Sequence, residues 1–337
     1  MEYPSLNTAK AGAIRFNTDS SQLEIYDGNQ WTGILGDSPH LHTGGTRGLN
    51  FGGQNPSKVN FIEYVNIDTT GNAQDFGDLT YTTRDAGSAA DTSRAIAFGG
   101  SSSGTPTGDT TIVKVTIAST GNSTSFGSLV QGARGADAVN DSTRAVKAGG
   151  EHDAGLNNMD YVTIQSEGNS VDFGDMSAGT FDTGPMSSPT RGVFACDSSN
   201  VHMDYITIST LGNSSDFGET TVRRRSGGTA SNAVRGLIMG GYNPSTSTWY
   251  QSMDYITLAT TGNAIGFGDM VTATNWRQSS TSSQTRAIQI AGRTQGGQFV
   301  NTIEYVQFAT LGDAVDFGDP NQNKMAGTAT SNGHGGL

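Results

Sequence analysis

From His202 to Glu219 the chain reads HMDYITISTLGNSSDFGE. Its first half is rich in β-branched and aromatic residues, the profile of a strand. On a period of two, Met203 and Tyr205 point one way, and Ile206 and Ile208 the other. A strand apolar on both faces belongs in a sheet covered on both sides. The turn residues of TLGN break the run, and a second strand resumes around Phe217.

The same string returns along the chain. FIEYVNIDTTGNAQDFGD begins at Phe61, TIVKVTIASTGNSTSFGS at Thr111 and NMDYVTIQSEGNSVDFGD at Asn158. SMDYITLATTGNAIGFGD begins at Ser252 and TIEYVQFATLGDAVDFGD at Thr302. The Phe-Gly pair falls at Phe76, Phe126, Phe173, Phe217, Phe267 and Phe317, a mean period of about 48 residues. An arginine keeps step at Arg47, Arg94, Arg144, Arg191, Arg235 and Arg286.

Each period carries four strand signals. RAIAFGG from Arg94 is a buried strand ending on a diglycine, and Ile112 to Ile117 is a second. Ser123 to Phe126 is a third, and the small residues GADAV from Gly135 are a fourth. Four strands per period, sheets stacked face to face and six periods predict an all-β fold, a six-bladed β-propeller. MAGTAT from Met325 matches DAGSAA from Asp85, so the C-terminal strand is expected to complete a first blade that starts at its second strand. Closure removes exposed sheet edges. The tail Gly333–Leu337 is expected merely to end the chain. The expected domains are 1–40, a small β-meander, and 41–337, the propeller.

Composition agrees. Glycine is 47 of 337 residues, while charged residues are 15% and hydrophobic residues 34%. A helical bundle needs more Ala, Leu, Glu and Lys, and a collagen needs Gly at every third position. A disordered acidic chain would lack the 14 Phe, 10 Tyr and 9 Met. The net charge of −12 argues against a nucleic-acid footprint. The single cysteine, Cys196, allows no intrachain disulfide and fits a reducing cytoplasm. MEYPSLNTAK has no signal pattern, and no apolar run nears the ~18 residues of a span, so no membrane insertion is expected.

The order of strands resembles the kelch propeller over about residues 44–337. Two features depart from it: Phe replaces the last-strand Trp of many kelch repeats, and Cys196-Asp197 and Ala291-Gly292 replace the diglycine. Such a resemblance implies architecture, since kelch propellers serve many roles. GAIRFNTDSSQLEIYDGNQWTGI from Gly12 resembles a short module of bacteriophage structural proteins, particularly tail fibres and other virion appendages. With the Gly/Ser/Thr-rich repeats it is also similar to structural proteins of marine phages, including cyanophages. The resemblance implies a virion protein, assembled in the host cytoplasm as a homo-oligomer. It would meet other virion proteins through Ile14, Phe16, Leu23, Ile25, Tyr26 and Trp31.

Candidate chemistry is sparse. His40, His42, His152, His202 and His334 form no H-E-x-x-H pair. Cys196 reads as a small buried residue. Asp68, Asp75 and Asp78 make an oxygen-rich turn, but position 68 becomes Ala118, Gln165, Ser209, Ala259 and Ala309 in the other units. A repeated calcium loop would keep its ligands. Sialidase-type propellers carry Ser-x-Asp-x-Gly-x-x-Trp boxes, and the sequence has none. The expectation is therefore no enzyme, no cofactor and no metal. The repeated arginines are expected to find structural partners in the first-strand ends and in acids such as Glu63, Asp160, Asp204, Asp254 and Glu304.

What varies is more informative. The loops from second to third strand, 54–60, 101–110, 151–158 and 242–252, differ widely. Irregular loops on a rigid repeat scaffold are the usual place for binding. Tyr81, Phe181, Tyr242, Trp249, Tyr250, Trp276 and Phe299 gather in such loops, with the basic run Arg223, Arg224 and Arg225. Aromatic faces beside polar groups suit a host-surface glycan or protein. The leading expectation is a non-enzymatic virion structural protein, a tail-fibre or tail-appendage component whose loop face contacts the host. A capsid decoration or neck connector is the competing expectation, and a polysaccharide-degrading propeller the third.

Overall fold

Each Phe-Gly unit folds into four antiparallel strands. The computed structural model describes residues 10–17, 22–33, 46–102, 108–180, 182–195, 200–275 and 279–337. The chain divides into two compact units, 1–43 and 44–337. Among the described residues there is no helix, hence none long and apolar enough to cross a membrane.

The second unit is a six-bladed β-propeller. Blade 4 is typical: Gly184–Ser187, Arg191–Ala195, His202–Thr207 and Ser215–Glu219 pair in that order. The first strand of every blade packs beside the first strands of its two neighbours, so the ring is closed. Thr328–Ser331 pairs with Arg47–Phe51, with Thr328 opposite Phe51, and completes blade 1 as the sequence predicts. The connections therefore fall into two sets. First-to-second and third-to-fourth turns form one face, the turn face. Second-to-third and fourth-to-first connections form the other, the loop face.

The two-sided apolar pattern of the third strand explains the core. Met203 packs with Ile238 and Ile256 of blade 5, while Ile206 and Ile208 pack with Val146 and Phe173 of blade 3. The repeated phenylalanines are nearly inaccessible, and each contributes roughly 1.5–3 kcal/mol by burial.

The repeated motif is the seam between blades. The turn of one blade lies on the outer strand of the preceding one. Gly121 N–H donates to Phe76 O (2.8 Å), Gly212 N–H to Phe173 O (2.9 Å) and Gly71 N–H to Phe317 O (2.9 Å), with equivalents at the other three seams. The turn asparagine accepts the next N–H: Asp78 to Asn122 Oδ1 (2.9 Å), Ser128 to Asn169 Oδ1 (3.0 Å), Asp175 to Asn213 Oδ1 (3.0 Å). Asp313 fills this role for Asp269 (3.0 Å). The glycine after each phenylalanine is there for space. A Cβ on Gly127 would sit 2.0 Å from Gly168 O, and one on Gly218 would sit 2.5 Å from Gly262 O. Asp68, weighed above as a calcium ligand, accepts the Thr46 N–H at 2.8 Å.

The repeated arginines also span seams, and their partners correct the expectation of acids. Arg47, Arg144 and Arg191 stack over Tyr64, Tyr161 and Tyr205 at 4.4–4.6 Å. Each tyrosine meets its blade's phenylalanine edge to face, as in Tyr205–Phe217 at 6.0 Å. The same arginines donate to carbonyls of the next blade, Arg47 to Ile117 O (2.7 Å) and Arg191 to Leu258 O (2.9 Å). A planar guanidinium can stack and donate at once, which a lysine cannot match.

The innermost strands line the axis and share no ladder, so side chains bridge them. Ser282 Oγ donates to Ser231 O (2.7 Å), and Ser231 Oγ to Ser187 O (2.8 Å). Asn140 Nδ2 donates to Ala90 O (2.6 Å). The C-terminal tail is not inert, contrary to expectation. His334 is buried, with Nε2 2.9 Å from Ala90 O and 3.1 Å from Asn140 Nδ2. Gly335 and Gly336 fit where a Cβ would strike backbone carbonyls of Ser187 and Asn140 at 2.3 and 1.8 Å. The tail thus crosses the turn-face end of the axis and joins Asn140 at the Ala90 carbonyl.

The first unit holds a three-stranded sheet, Ile14–Asn17, Gln22–Tyr26 and Trp31–Gly33. Asp27 Oδ1 accepts the N–H of Asn29 (2.7 Å) and Gln30 (2.8 Å), which sets its second turn. Arg15 pairs with Glu24 at 2.7 Å and lies 4.3 Å over the Trp31 ring, itself 5.4 Å from Tyr26. Tyr26 is buried, Ile25 and Trp31 are half-buried, and Ile14 is 61% exposed. Phe16 and Leu23 pair by backbone register, and their side chains lie outside the described residues.

Candidate loop-face binding site

Below the loop face lies a row of buried acids on the third strands. Each is gripped differently. Glu63 receives Asn50 Nδ2 (2.8 Å), Asn321 N–H (2.8 Å) and Lys324 Nζ (2.9 Å). Asp254 receives Arg224 Nη2 (2.9 Å) and Thr221 Oγ1 (2.6 Å). Asp160 takes its cation from its own sheet, Lys147 at 3.3 Å. Asp204 is held by the Ser177 N–H and hydroxyl and by Ser214. Glu304 accepts from the Val271 and Thr272 N–H groups at 3.0 and 3.1 Å. Burial is the main influence on the titrating members. It pushes Glu304 up and holds Lys147 and Lys324 below the usual lysine range.

Two of the predicted binding residues belong to this interior. Arg224 is fully buried, with Nη1 donating to Gly240 O and Ser252 O at 2.8 Å, so it is a core cation. Tyr81 is half-buried against the apolar cluster between blades 1 and 2 and donates to Gly99 O at 3.2 Å. Burial raises its phenol far above the ordinary value, with Asp109 adding to the shift. Arg224 occupies the same place in its unit as Lys324 does in the last, a positional signal that the repeat alignment contained.

The structure brings five others together on blade 5. The diglycine Gly240-Gly241 turns the chain with φ of 61° and 101°, and a short hairpin follows. Tyr242–Asn243 pairs with Thr248–Trp249, and Tyr242 lies 5.6 Å from Trp249 with rings tilted at 60°. Arg225 bridges to Tyr242 through the backbone, and its guanidinium lies 5.6 Å over that ring. Arg223 Nη1 donates to Ser245 Oγ at 2.5 Å. Tyr250 packs over Arg224 at 5.4 Å and accepts from Asn243 Nδ2 at 3.4 Å. Ser245, Thr246, Ser247 and Thr248 are exposed along the hairpin, while Tyr242, Trp249 and Tyr250 are half-buried.

Phe299 lies on blade 6, bridged to Arg293, and is not part of this cluster. Phe181, Trp276 and Cys196 lie outside the described residues, as do His40 and His42. A second arginine series, unread in the sequence, precedes the first strands. Arg84 faces Asp85 at 3.5 Å, Arg134 faces Glu151 at 2.9 Å, and Arg225 faces an aromatic ring instead. Among the described residues no three His, Cys, Asp or Glu side chains gather as a metal ion would require.

No protein-family profile matches the chain, and no curated protein matches it in sequence.

Proposed function

We propose that this chain is a non-enzymatic bacteriophage virion protein, a tail-fibre or tail-appendage component that contacts the host through its loop face. The observation that carries this reading is the blade 5 hairpin. It sets Tyr242, Trp249, Arg223 and Arg225 together on one blade of a closed ring. Rigid presentation lowers the entropic cost of binding. The N-terminal module would join the propeller to other virion proteins, as its likeness to phage appendage modules implies, and the repeats are read as kelch-like.

A second reading has its own observation. Leu211, Val234 and Leu311 on the turn face are 56–63% exposed, and Val171 and Ile265 on outer strands are exposed as well. Scattered aliphatics of this kind fit a virion protein partner, as in a capsid decoration or neck connector. Gold-labelled antibody against residues 44–337 on intact particles separates the readings. Label at tail tip or fibres supports host contact, and label on capsid or neck supports the structural role. Particles that carry no label overturn both.

A further inference from the structure

We propose that Lys324 and Asn50 join spontaneously through an isopeptide bond, with Glu63 as the proton carrier, so that a covalent link as well as a strand closes the ring. Lys324 Nζ lies 2.9 Å and Asn50 Nδ2 lies 2.8 Å from one and the same oxygen, Glu63 Oε1. Each of the three residues is 1% exposed. The Phe61 ring covers the amine, its centroid 4.2 Å from Nζ. A dry site of this kind supplies what the reaction needs. Burial holds the Lys324 amine below the usual lysine range, against the pull of Glu63, and so favours the neutral nucleophile. Asn50 Oδ1 is buried and, among the described residues, accepts no hydrogen bond. A purely structural asparagine ordinarily has that oxygen satisfied.

The step balances within the triad. The Lys324 ammonium gives one proton to Glu63, and the free amine attacks Asn50 Cγ. The Nζ–Cγ bond forms and the Cγ–Nδ2 bond breaks. Glu63 relays a second proton from Nζ to the departing Nδ2, ammonia leaves, and Glu63 ends neutral beside the new amide. No oxidant or reductant is consumed.

The triad is particular to blade 1. In the other units the position of Asn50 holds Ala97, Lys147, Phe194, Ile238 and Gln289. Arg224, at the place of Lys324, meets Asp254, but a guanidinium stays protonated and is no nucleophile. Blade 3 has a looser set. There Lys147 lies 3.3 Å from Asp160 and 3.5 Å from Asn158 Oδ1, Asn158 is half-buried, and Asp160 also accepts from Ser170. The tight triad falls on the blade built from both ends of the propeller chain, where Thr328–Ser331 pairs with Arg47–Phe51. A bond there constrains the unfolded chain and stabilises the closed ring, whatever the loop face binds.

Intact-mass spectrometry of the full chain under denaturing conditions reads the bond, on fresh protein and after prolonged warming below its thermal midpoint. The mass should fall short of the sequence by one ammonia. Trypsin should fail to cut after Lys324 and should release a branched peptide joining Asn50 to Lys324. Lys324→Arg keeps a cation for Glu63, as Arg224 does for Asp254. It should restore the full sequence mass and lower the thermal midpoint by about 5 °C or more. Glu63→Gln, which removes the proton carrier, should restore the full mass as well. A full sequence mass in the unsubstituted chain, a deficit that persists in Lys324→Arg, or a branched peptide that joins Lys147 to Asn158 instead overturns the proposal.

Discussion

The two faces of the ring solve the same problem in opposite ways. Blades must be joined, and on the turn face the joint is identical at all six seams. A glycine N–H meets the carbonyl of the repeated phenylalanine, and an Asn or Asp oxygen receives the next N–H. Below the loop face the joints are individual. Glu63 takes a lysine from the preceding connection, Asp254 an arginine from the equivalent place, and Asp160 a lysine from its own second strand. Asp204 and Glu304 are met by hydroxyl and backbone N–H donors. Backbone joints depend on shape alone, so every repeat must keep the glycines. Side-chain joints depend on chemistry, and many pairs can satisfy a buried carboxylate. The face with interchangeable joints is the one free to vary its loops.

The largest test of this contrast is on the loop side. Arg224→Ala leaves Asp254 buried without its cation, and is expected to cost about 4 kcal/mol of stability in chemical denaturation. A loss under about 1 kcal/mol would mean that Asp254 does not depend on Arg224, and the individual joints would then be decorative. Next comes the turn side. Gly127→Ala forces a Cβ to 2.0 Å from the Gly168 carbonyl, backbone against backbone. It is expected to cost about 3 kcal/mol, read as a lowered thermal midpoint. The same change at Gly268, 2.2 Å from Gly312 O, should cost about as much. Unequal effects would break the claim of six equivalent seams.

The smallest effect concerns the C-terminal tail on the turn face. His334 reaches Ala90, and burial holds its imidazole below the ordinary value of 6.5, against smaller opposing pulls from the Ala90 carbonyl and Asp91. A depressed histidine contributes stability that is present above its unfolded value and is lost as pH falls through the folded one. Stability should therefore decline as pH drops below about 6.5, and His334→Gln should flatten that part of the curve. An unchanged curve would show that the tail does not pin the ring.

Six Phe-Gly units, two-sided apolar strands and a matching C-terminal strand were enough to derive blade number and closure from the sequence. Those features are local or periodic, and periodicity survives without coordinates. That Gly-Asn and Phe-Gly join neighbouring blades was not legible, because their partners sit one period away along the chain. The arginines were misread for the same reason: a regular series of acids invited pairing, whereas the guanidinium stacks on tyrosine and reaches the next blade.

For the candidate site, composition named Arg223, Arg225, Tyr242, Trp249 and Tyr250, and the hairpin gathers them. It also named Arg224 and Tyr81, which the fold turns inward. Consecutive residues on an extended segment alternate sides, so at least one arginine of three was bound to face the core, and only a packed structure says which. Architecture was written in the chain, because a period and a hydrophobic pattern need no partner to be read. Which charges reach solvent, and that the tail seals the axis, were settled by packing, because both depend on contacts between residues far apart along the chain.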